Sequence, residues 1–286
     1  MKDQPYIVIM AGGVGSRFWP YSKSSKPKQF LDVLGTGRTL LQMTFDRFRE
    51  IAPAEQFYVV TNQAHAGLVS EQLPELLDHQ ILAEPLRKNT AACLAYAAYK
   101  ISNLDPNATM VVAPADHLIL QEGRFLQTLV TSISAAQVNN RLLTIGIKPN
   151  RPETGYGYIQ YLQNAEDEEV LKVKTFTEKP NAKLATTFLE SGDFVWNSGM
   201  FVWKAESLIE AFKQHMPDLA DAFEEGKLQF GTSTEKDYIA TTYTTLKNIS
   251  IDYGIMEKSD QVFVVLGDFG WSDIGSWQSL HELRDK

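Results

Sequence analysis

The sequence predicts an α/β fold, a doubly wound, mainly parallel sheet with a less regular second half fused onto it. Three observations carry this expectation. Short continuous apolar runs, such as YIVIM (Tyr6 to Met10), TMVVAP (Thr109 to Pro114) and LLTIGI (Leu142 to Ile147), read as strands buried on both faces. Segments of helical period lie between them, giving a βαβα order. The 286 residues, 44% hydrophobic and 22% charged, suffice for one large α/β domain.

Taken in order, YIVIM is the first strand and TLLQMTFDRFREI (Thr39 to Ile51) a helix, with Leu41, Phe45 and Phe48 at helical spacing. The strand FYVV, a polar helix after Asn62, the short strand ILA and a helix from Asn89 to about Ser102 follow. TMVVAP, a helix after Glu122 and LLTIGI complete the regular half. Beyond it, YGYIQYL and VLKVKTFTEKP read as extended segments around an acidic turn, Glu166 to Glu169. A helix follows Asn181, WNSGMFVW opens a strand, helices fill Ala205 to Thr245, and VFVVL (Val262 to Leu266) is a last strand. No Pro/Gly/Ser linker separates the halves, so residues 1–286 read as one domain with halves of about 1–147 and 148–286. The second half is expected to form a lobe over the carboxyl edge of the sheet, where open α/β sheets bind ligands.

No self-similar repeat or low-complexity segment is evident. Cys93, the one cysteine, lies in an apolar helical stretch and reads as a small buried thiol, with no disulfide within the chain. The amino terminus lacks a signal-peptide pattern, and no apolar run approaches the roughly 20 residues that span a bilayer. A soluble, cytoplasmic protein without a membrane partner is expected. The formal net charge of −8 argues against nucleic acid as a partner. Arg17, Lys23, Lys26 and Lys28 nevertheless form a local run of cations without an acid among them, which implies a small anionic ligand. The alternative is a solvated surface loop.

These cations sit in AGGVGSRFWPYSKSSKPKQF, directly after the first strand. Gly12, Gly13 and Gly15 permit a tight turn whose backbone N–H groups can approach phosphate oxygens, with Ala11 and Ser16 beside them. The P-loop spacing is absent. The dinucleotide fingerprint fails because Phe18 stands where its third glycine belongs, and Pro20 and Pro27 disfavour a long helix. A phosphate-cradling loop with its own cations remains. Arg17 offers bidentate contacts and Lys28 a point charge.

This loop resembles the signature of the sugar-nucleotide pyrophosphorylases, and its PKQF ending resembles their mannose-1-phosphate guanylyltransferase (GDP-mannose pyrophosphorylase) branch. The likeness continues in family order through EPLRKNTA, APADH, FTEKP, WNSGMF, SIDYGIME and GWSDIGSW, over nearly the whole chain. It implies a Rossmann-like, GT-A-like sheet with a nucleotide-binding first half, a sugar-phosphate-binding lobe, and GTP and mannose 1-phosphate as substrates. It also leaves room for a homodimer. Members of this branch usually continue into a C-terminal extension or a fused isomerase domain, whereas this sequence ends at Lys286.

Each motif has a physical reading beside the resemblance. Asp116, just past the strand TMVVA, can hold Mg²⁺ against triphosphate oxygens or simply cap a turn. Asp273 in GWSDIGSW resembles the second metal ligand of the family, with Asp268 as the fallback. Lys179 in FTEKP could hold the phosphate of the sugar phosphate, and Glu178 could accept sugar hydroxyls. An isolated Glu–Lys pair is otherwise a surface pair. Asn197 combines a donor with an acceptor suited to a sugar hydroxyl, and Gly155, Tyr156 and Gly157 would bring backbone close to the sugar. Glu84 can accept from guanine N1–H and N2–H₂ together. Arg87, Asn89 and Thr90 could add contacts to base, ribose or phosphate, or Asn89 and Thr90 could cap the helix that begins there. Asp252 leans toward a structural role. Trp196 and Trp203 read as core. The five histidines show no zinc-ligand spacing, so no zinc site is expected.

The expected reaction is in-line attack of the sugar 1-phosphate on the α-phosphorus of GTP. Arg17 and Lys28 would act on the leaving phosphates, with Lys23 and Lys26 as solvated neighbours. Uridylyl or thymidylyl transfer to another hexose 1-phosphate is the nearest alternative, and a non-catalytic nucleotide-binding module the more distant one.

Overall fold

The structure is a computed structural model and describes residues 4–13, 18–138, 140–163 and 169–274. Its elements, in chain order, are β1 (Tyr6–Met10), α1 (Leu40–Phe48), β2 (Phe57–Asn62), α2 (Ala66–Gln72), β3 (Ile81–Glu84), α3 (Asn89–Leu104), β4 (Thr109–Pro114), β5 (Leu118–Ile119), α4 (Glu122–Ala136) and β6 (Leu142–Ile147). Then follow β7 (Tyr158–Tyr161), β8 (Val170–Thr177), α5 (Ala182–Ser191), β9 (Phe194–Lys204), α6 (Ala205–His215), α7 (Pro217–Glu224), α8 (Glu235–Thr245), β10 (Val262–Gly267) and β11 (Trp271–Ser272).

Nine strands form one sheet in the order β3-β2-β1-β4-β9-β6-β10-β8-β7, with β7 also pairing with β9. β1 is parallel to β2 and β4, β2 to β3, and β6 to β10. The long β9 runs antiparallel between β4 and β6, so these two neighbours still point the same way. The expected mainly parallel sheet is present, and it runs through both halves of the sequence. The expected lobe is not set apart from it, because β9 pairs along its length with β4, β6 and β7 and stitches the second half into the centre.

Both faces of the sheet are covered. Val8 of β1 packs with α3, α6 and α8 on one face, while Ile7 and Ile9 pack with α1 and α4 on the other. That is why YIVIM is apolar throughout. α1 begins at Thr39, whose hydroxyl accepts from the Gln42 N–H while the Gln42 side chain accepts from the Thr39 N–H. This reciprocal cap fixes the helix that ends the long cationic loop. A third, smaller cluster of Phe18, Leu31, Val33, Leu40, Leu118 and Ile274 lies beneath that loop. Burying a phenylalanine such as Phe18 contributes roughly 1.5–3 kcal/mol, enough to seat the loop against the 271–274 segment. No helix among the described residues is long and apolar enough to cross a membrane.

Candidate active site

Strands β1, β3, β4, β6 and β10 share one direction, so the residues after them gather at one carboxyl edge. There lie Ala11–Gly13, Glu84, Asp116 and the segment leading to Asp273. The backbone turn after β1 is held from below. The Ala11 N–H donates to Val60 O at 2.8 Å, and the Thr61 hydroxyl donates to Ala11 O at 3.0 Å. The buried Gln29 amide donates to both Ala11 O (2.8 Å) and Gly13 O (2.9 Å). Gln29 was not singled out in the sequence. An amide two residues past a proline, facing a glycine-rich turn with carbonyls to satisfy, is the signal that could have found it. Gly15, Ser16 and Arg17 lie outside the described residues.

Lys28 is almost completely buried, at 4% exposure. Its ammonium donates to Asp273 O at 2.8 Å and Ile274 O at 3.0 Å, and it pairs with Asp116 Oδ2 at 2.9 Å. An ammonium has three donors, and these contacts engage all of them. It also lies 5.4 Å from the centre of the Phe18 ring. Lys28 is thus a tether between β4's carboxyl end and the segment after β10. Lys23 and Lys26 are exposed, joined by backbone hydrogen bonds across a tight turn.

Burial alone would raise the Asp116 carboxyl, but the Lys28 ammonium beside it outweighs burial and holds the group below its ordinary value. Burial also lowers the His117 imidazole, against the pull of Asp116 and Asp273. A neutral ring fits its contacts: Nδ1 accepts from Trp271 Nε1 at 3.2 Å, which leaves the Nε2 proton facing Asp116 Oδ1 at 3.9 Å. Asp273 Oδ1 accepts from the Tyr156 hydroxyl at 2.7 Å. Desolvation and Asp273 both push the Tyr156 phenol up, so it stays a donor.

The two carboxylates suit a hard divalent cation, being oxygen donors on separate segments, with Lys28 tying the Asp116 carboxylate to the backbone of Asp273. No group of three or more His, Cys, Asp or Glu side chains that could hold a metal is gathered among the described residues. A cation held by this pair would therefore complete its shell with substrate oxygens and water, as Mg²⁺ commonly does. Asp268 fits less well. Its side chain is 94% exposed and pairs with Arg124 at 3.3 Å on the surface.

Beside this pair opens a cleft of about 230 Å³, lined by Met10, Thr90, Pro114, His117, Gly155, Tyr156, Gly157, Glu178, Lys179, Asn197, Asp252 and Asp273, among others. It brings together every sugar-side residue singled out in the sequence. Asn197 Oδ1 accepts from the Thr144 hydroxyl (2.9 Å) and Gly199 N–H (3.1 Å), and Nδ2 donates to Asp252 Oδ1 (3.0 Å). Its acceptor is occupied, and one amide hydrogen is left beyond these bonds. The β6–β9 register shifts between Thr144 and Gly146, next to Asn197, as bulges beside functional sites often do. Lys179 has φ +45° and its ammonium meets Glu178 Oε1 at 2.5 Å. A lysine held in the left-handed region at a cleft is strain of the kind that functional sites retain. Asp252 both fixes Asn197 and lines the cleft, at the start of a π-helical turn, Asp252–Met256. Burial, and then Glu178, push its carboxyl up to about 6.

On the nucleotide side, Glu84 is 7% exposed and its Oε2 faces Gly12, where a Cβ would lie 3.7 Å away. The Tyr243 hydroxyl donates to Glu84 Oε1 at 3.1 Å. Burial pushes the Glu84 carboxyl up to about 7, with the Tyr243 hydrogen bond opposing. Arg87 is exposed between β3 and α3. Asn89 opens α3 with φ 67°, a conformation asparagine tolerates. Asn89 Oδ1 accepts from the first-turn Thr90 N–H at 2.9 Å, so it serves the helix start although it is not at the cap position. Lys88 holds the cap position without a side-chain bond, and the Thr90 hydroxyl accepts from the Ile251 N–H at 2.8 Å.

Known proteins resemble this chain over nearly its whole length. Mannose-1-phosphate guanylyltransferase of Escherichia coli is 38% identical over 289 residues, covering 98% of this chain and 61% of that protein. The Salmonella montevideo protein of the same name is 40% identical, with 98% and 60% covered. The chain thus spans about three fifths of the length of these curated relatives. A crystal structure described as mannose-1-phosphate geranyltransferase from Thermus thermophilus superposes with a TM-score of 0.88 at 32% identity, covering 99% of this chain and 80% of that one. The nucleotidyl transferase family model matches residues 6–286, and the chain belongs to that family.

Proposed function

We propose that the protein transfers GMP from GTP to mannose 1-phosphate, giving GDP-mannose and pyrophosphate. The observation that carries this reading is the joining of two sites at one sheet edge. The cleft with Lys179, Glu178 and Asn197 abuts the Asp116–Lys28–Asp273 cluster, and both adjoin the loop after β1. The names of the relatives supply the base and the sugar, and do not favour uridylyl or thymidylyl transfer.

An oxygen of the sugar phosphate attacks the α-phosphorus, and the bond to the bridging oxygen of the β-phosphate breaks, releasing pyrophosphate. The attacking phosphate is already anionic near neutral pH, so positioning and charge neutralisation dominate and no strong base is required. A Mg²⁺ ion bound by Asp116 and Asp273 would supply Lewis-acid neutralisation of phosphate charge. Lys179 holds the attacking phosphate, and Glu178, Asn197 and Asp252 orient the sugar. Arg17 neutralises the departing phosphates. Lys28 contributes positive charge to the same end of the site while fixing the carboxylates. A cytoplasmic setting, where both substrates would be met, completes the reading.

A panel of four nucleoside triphosphates against several hexose 1-phosphates, with and without Mg²⁺, tests the assignment through pyrophosphate release. GTP with mannose 1-phosphate and Mg²⁺ is expected to give the highest kcat/KM. A preference for UTP would sink the Glu84 argument, and binding of GTP without product or metal dependence would favour a non-catalytic module.

Glu84 must be ionised to accept twice from guanine. With its carboxyl at about 7, KM for GTP should rise about 10-fold from pH 8 to pH 6, following the ionised fraction. A pH-independent KM in that window would remove Glu84 from the base site. The same raised value has a stability consequence. The buried group's contribution is fully present below the ordinary carboxyl range and is lost as pH rises through 7.

A further inference from the structure

We propose that Tyr243 is a positioning residue that sets base specificity, its hydroxyl holding the Glu84 carboxylate as a twofold acceptor for guanine. This rests on the guanylyl reading above. Tyr243 is fully buried near the end of α8, and its hydroxyl reaches Glu84 Oε1 at 3.1 Å and Ala92 O at 3.3 Å. The other oxygen of Glu84 is the one that faces Gly12 in the nucleotide loop. Oε1 is therefore held by the phenol through one lone pair and keeps a second for another donor, while Oε2 faces Gly12.

The helix carrying the phenol is fixed at its far end. Glu235, the first residue of α8, is bound in the interior by Lys100 at 2.5 and 2.7 Å and by the Tyr96 hydroxyl at 2.6 Å, and at the surface side by the Gly231 N–H at 2.6 Å. That anchor serves no step of the reaction directly. Its consequence is a Tyr243 hydroxyl with little freedom to leave Glu84.

Among the described residues, three elements face the Glu84 side chain. α8 brings Tyr243, α3 brings the Cys93 thiol, and the loop after β1 brings Gly12. Burial pushes both the Tyr243 phenol and the Cys93 thiol well up, so both remain neutral. Among the described residues, the Tyr243 hydrogen bond is the one interaction that opposes burial of the Glu84 charge. Guanine presents two adjacent donors, N1–H and N2–H₂. An ionised carboxylate answers both, whereas a protonated one offers a donor and an acceptor and mismatches one of them. Hypoxanthine lacks the N2 amine and needs one acceptor only.

The test is steady-state kinetics of Tyr243→Phe with GTP and with ITP, at saturating mannose 1-phosphate, from pH 6 to 9. Loss of a hydrogen bond to a charged group predicts a rise of about 10-fold in KM for GTP near neutral pH, with kcat little changed. The rise for ITP should be smaller, and the acidic limb of kcat/KM for GTP should move to higher pH. Equal losses for GTP and ITP with an unmoved acidic limb would mean a packing role and overturn the proposal. If Tyr243→Phe fails to fold, 3-fluorotyrosine at position 243, a stronger donor, should move the acidic limb to lower pH. An unmoved limb there overturns the proposal equally. Glu84→Gln separates the two levels. If it keeps the preference for GTP over ITP, the base-site reading itself fails. If it loses that preference while Tyr243→Phe keeps it, only the role of Tyr243 fails.

Discussion

Lys28→Ala is expected to lower kcat by about 10²-fold or more, the scale on which loss of electrostatic preorganisation penalises a site, and to raise the Mg²⁺ concentration needed for half-maximal rate. Its ammonium is shared among Asp116 Oδ2, Asp273 O and Ile274 O. Removing it frees the carboxylate that it neutralises and unpins the backbone that carries the second one. Ile274 sits at φ 44°, in the small cluster with Phe18, so that backbone has a reason to relax once its tie is cut. Lys28→Arg should rescue poorly, because a planar fork cannot converge on three acceptors around one nitrogen. The measurement is pyrophosphate release across a Mg²⁺ titration, for Lys28→Ala, Asp116→Ala and the double variant. A tether predicts strong non-additivity, since both changes act on one network. A pure triphosphate cation predicts a higher KM for GTP with unaltered metal demand. Near-normal turnover in both single variants would remove the cluster from the mechanism.

The fold was legible wherever burial writes itself into local pattern. YIVIM, TMVVAP and LLTIGI announce strands covered on both faces, and Leu41, Phe45 and Phe48 announce a helix with one buried stripe. The place of β9 was not legible. WNSGMFVW reads as a strand, but nothing local says that it slots antiparallel between β4 and β6, because that pairing joins residues far apart in the chain. The site divides in the same way. Asp116 and Glu84 stand at strand ends, where α/β sheets place ligand groups. Lys28 looks in sequence like Lys23 and Lys26, yet it is buried and they are exposed. Two of its three acceptors lie about 245 residues away and are backbone carbonyls that no side-chain pattern reveals. Tyr243 is hidden for the same reason, 159 residues from Glu84.

Gly157→Ala should raise KM for mannose 1-phosphate by roughly 10- to 100-fold, the scale on which misplacement by about an ångström penalises a positioned group, and leave KM for GTP nearly unchanged. A Cβ there would lie 2.6 Å from Glu178 Oε2, 3.3 Å from Asn197 Cβ and 3.4 Å from Phe176 Cε1. The backbone cannot retreat easily. Gly157 O accepts from the Asn197 N–H at 2.8 Å, and Tyr158 is paired with both Thr177 and Trp196. Asn197 is itself held through Thr144, Gly199 and Asp252. The Glu178 carboxylate is the part left to move, and it takes with it the Lys179 ammonium that it binds. The substitution therefore displaces the proposed phosphate lysine without touching its charge. Gly123→Ala is the internal control, since its Cβ would meet nothing within 4 Å, on the exposed face of α4 and away from the cleft. If the two variants showed equal KM values for the sugar phosphate, the Glu178–Lys179 pair would have no part in binding it.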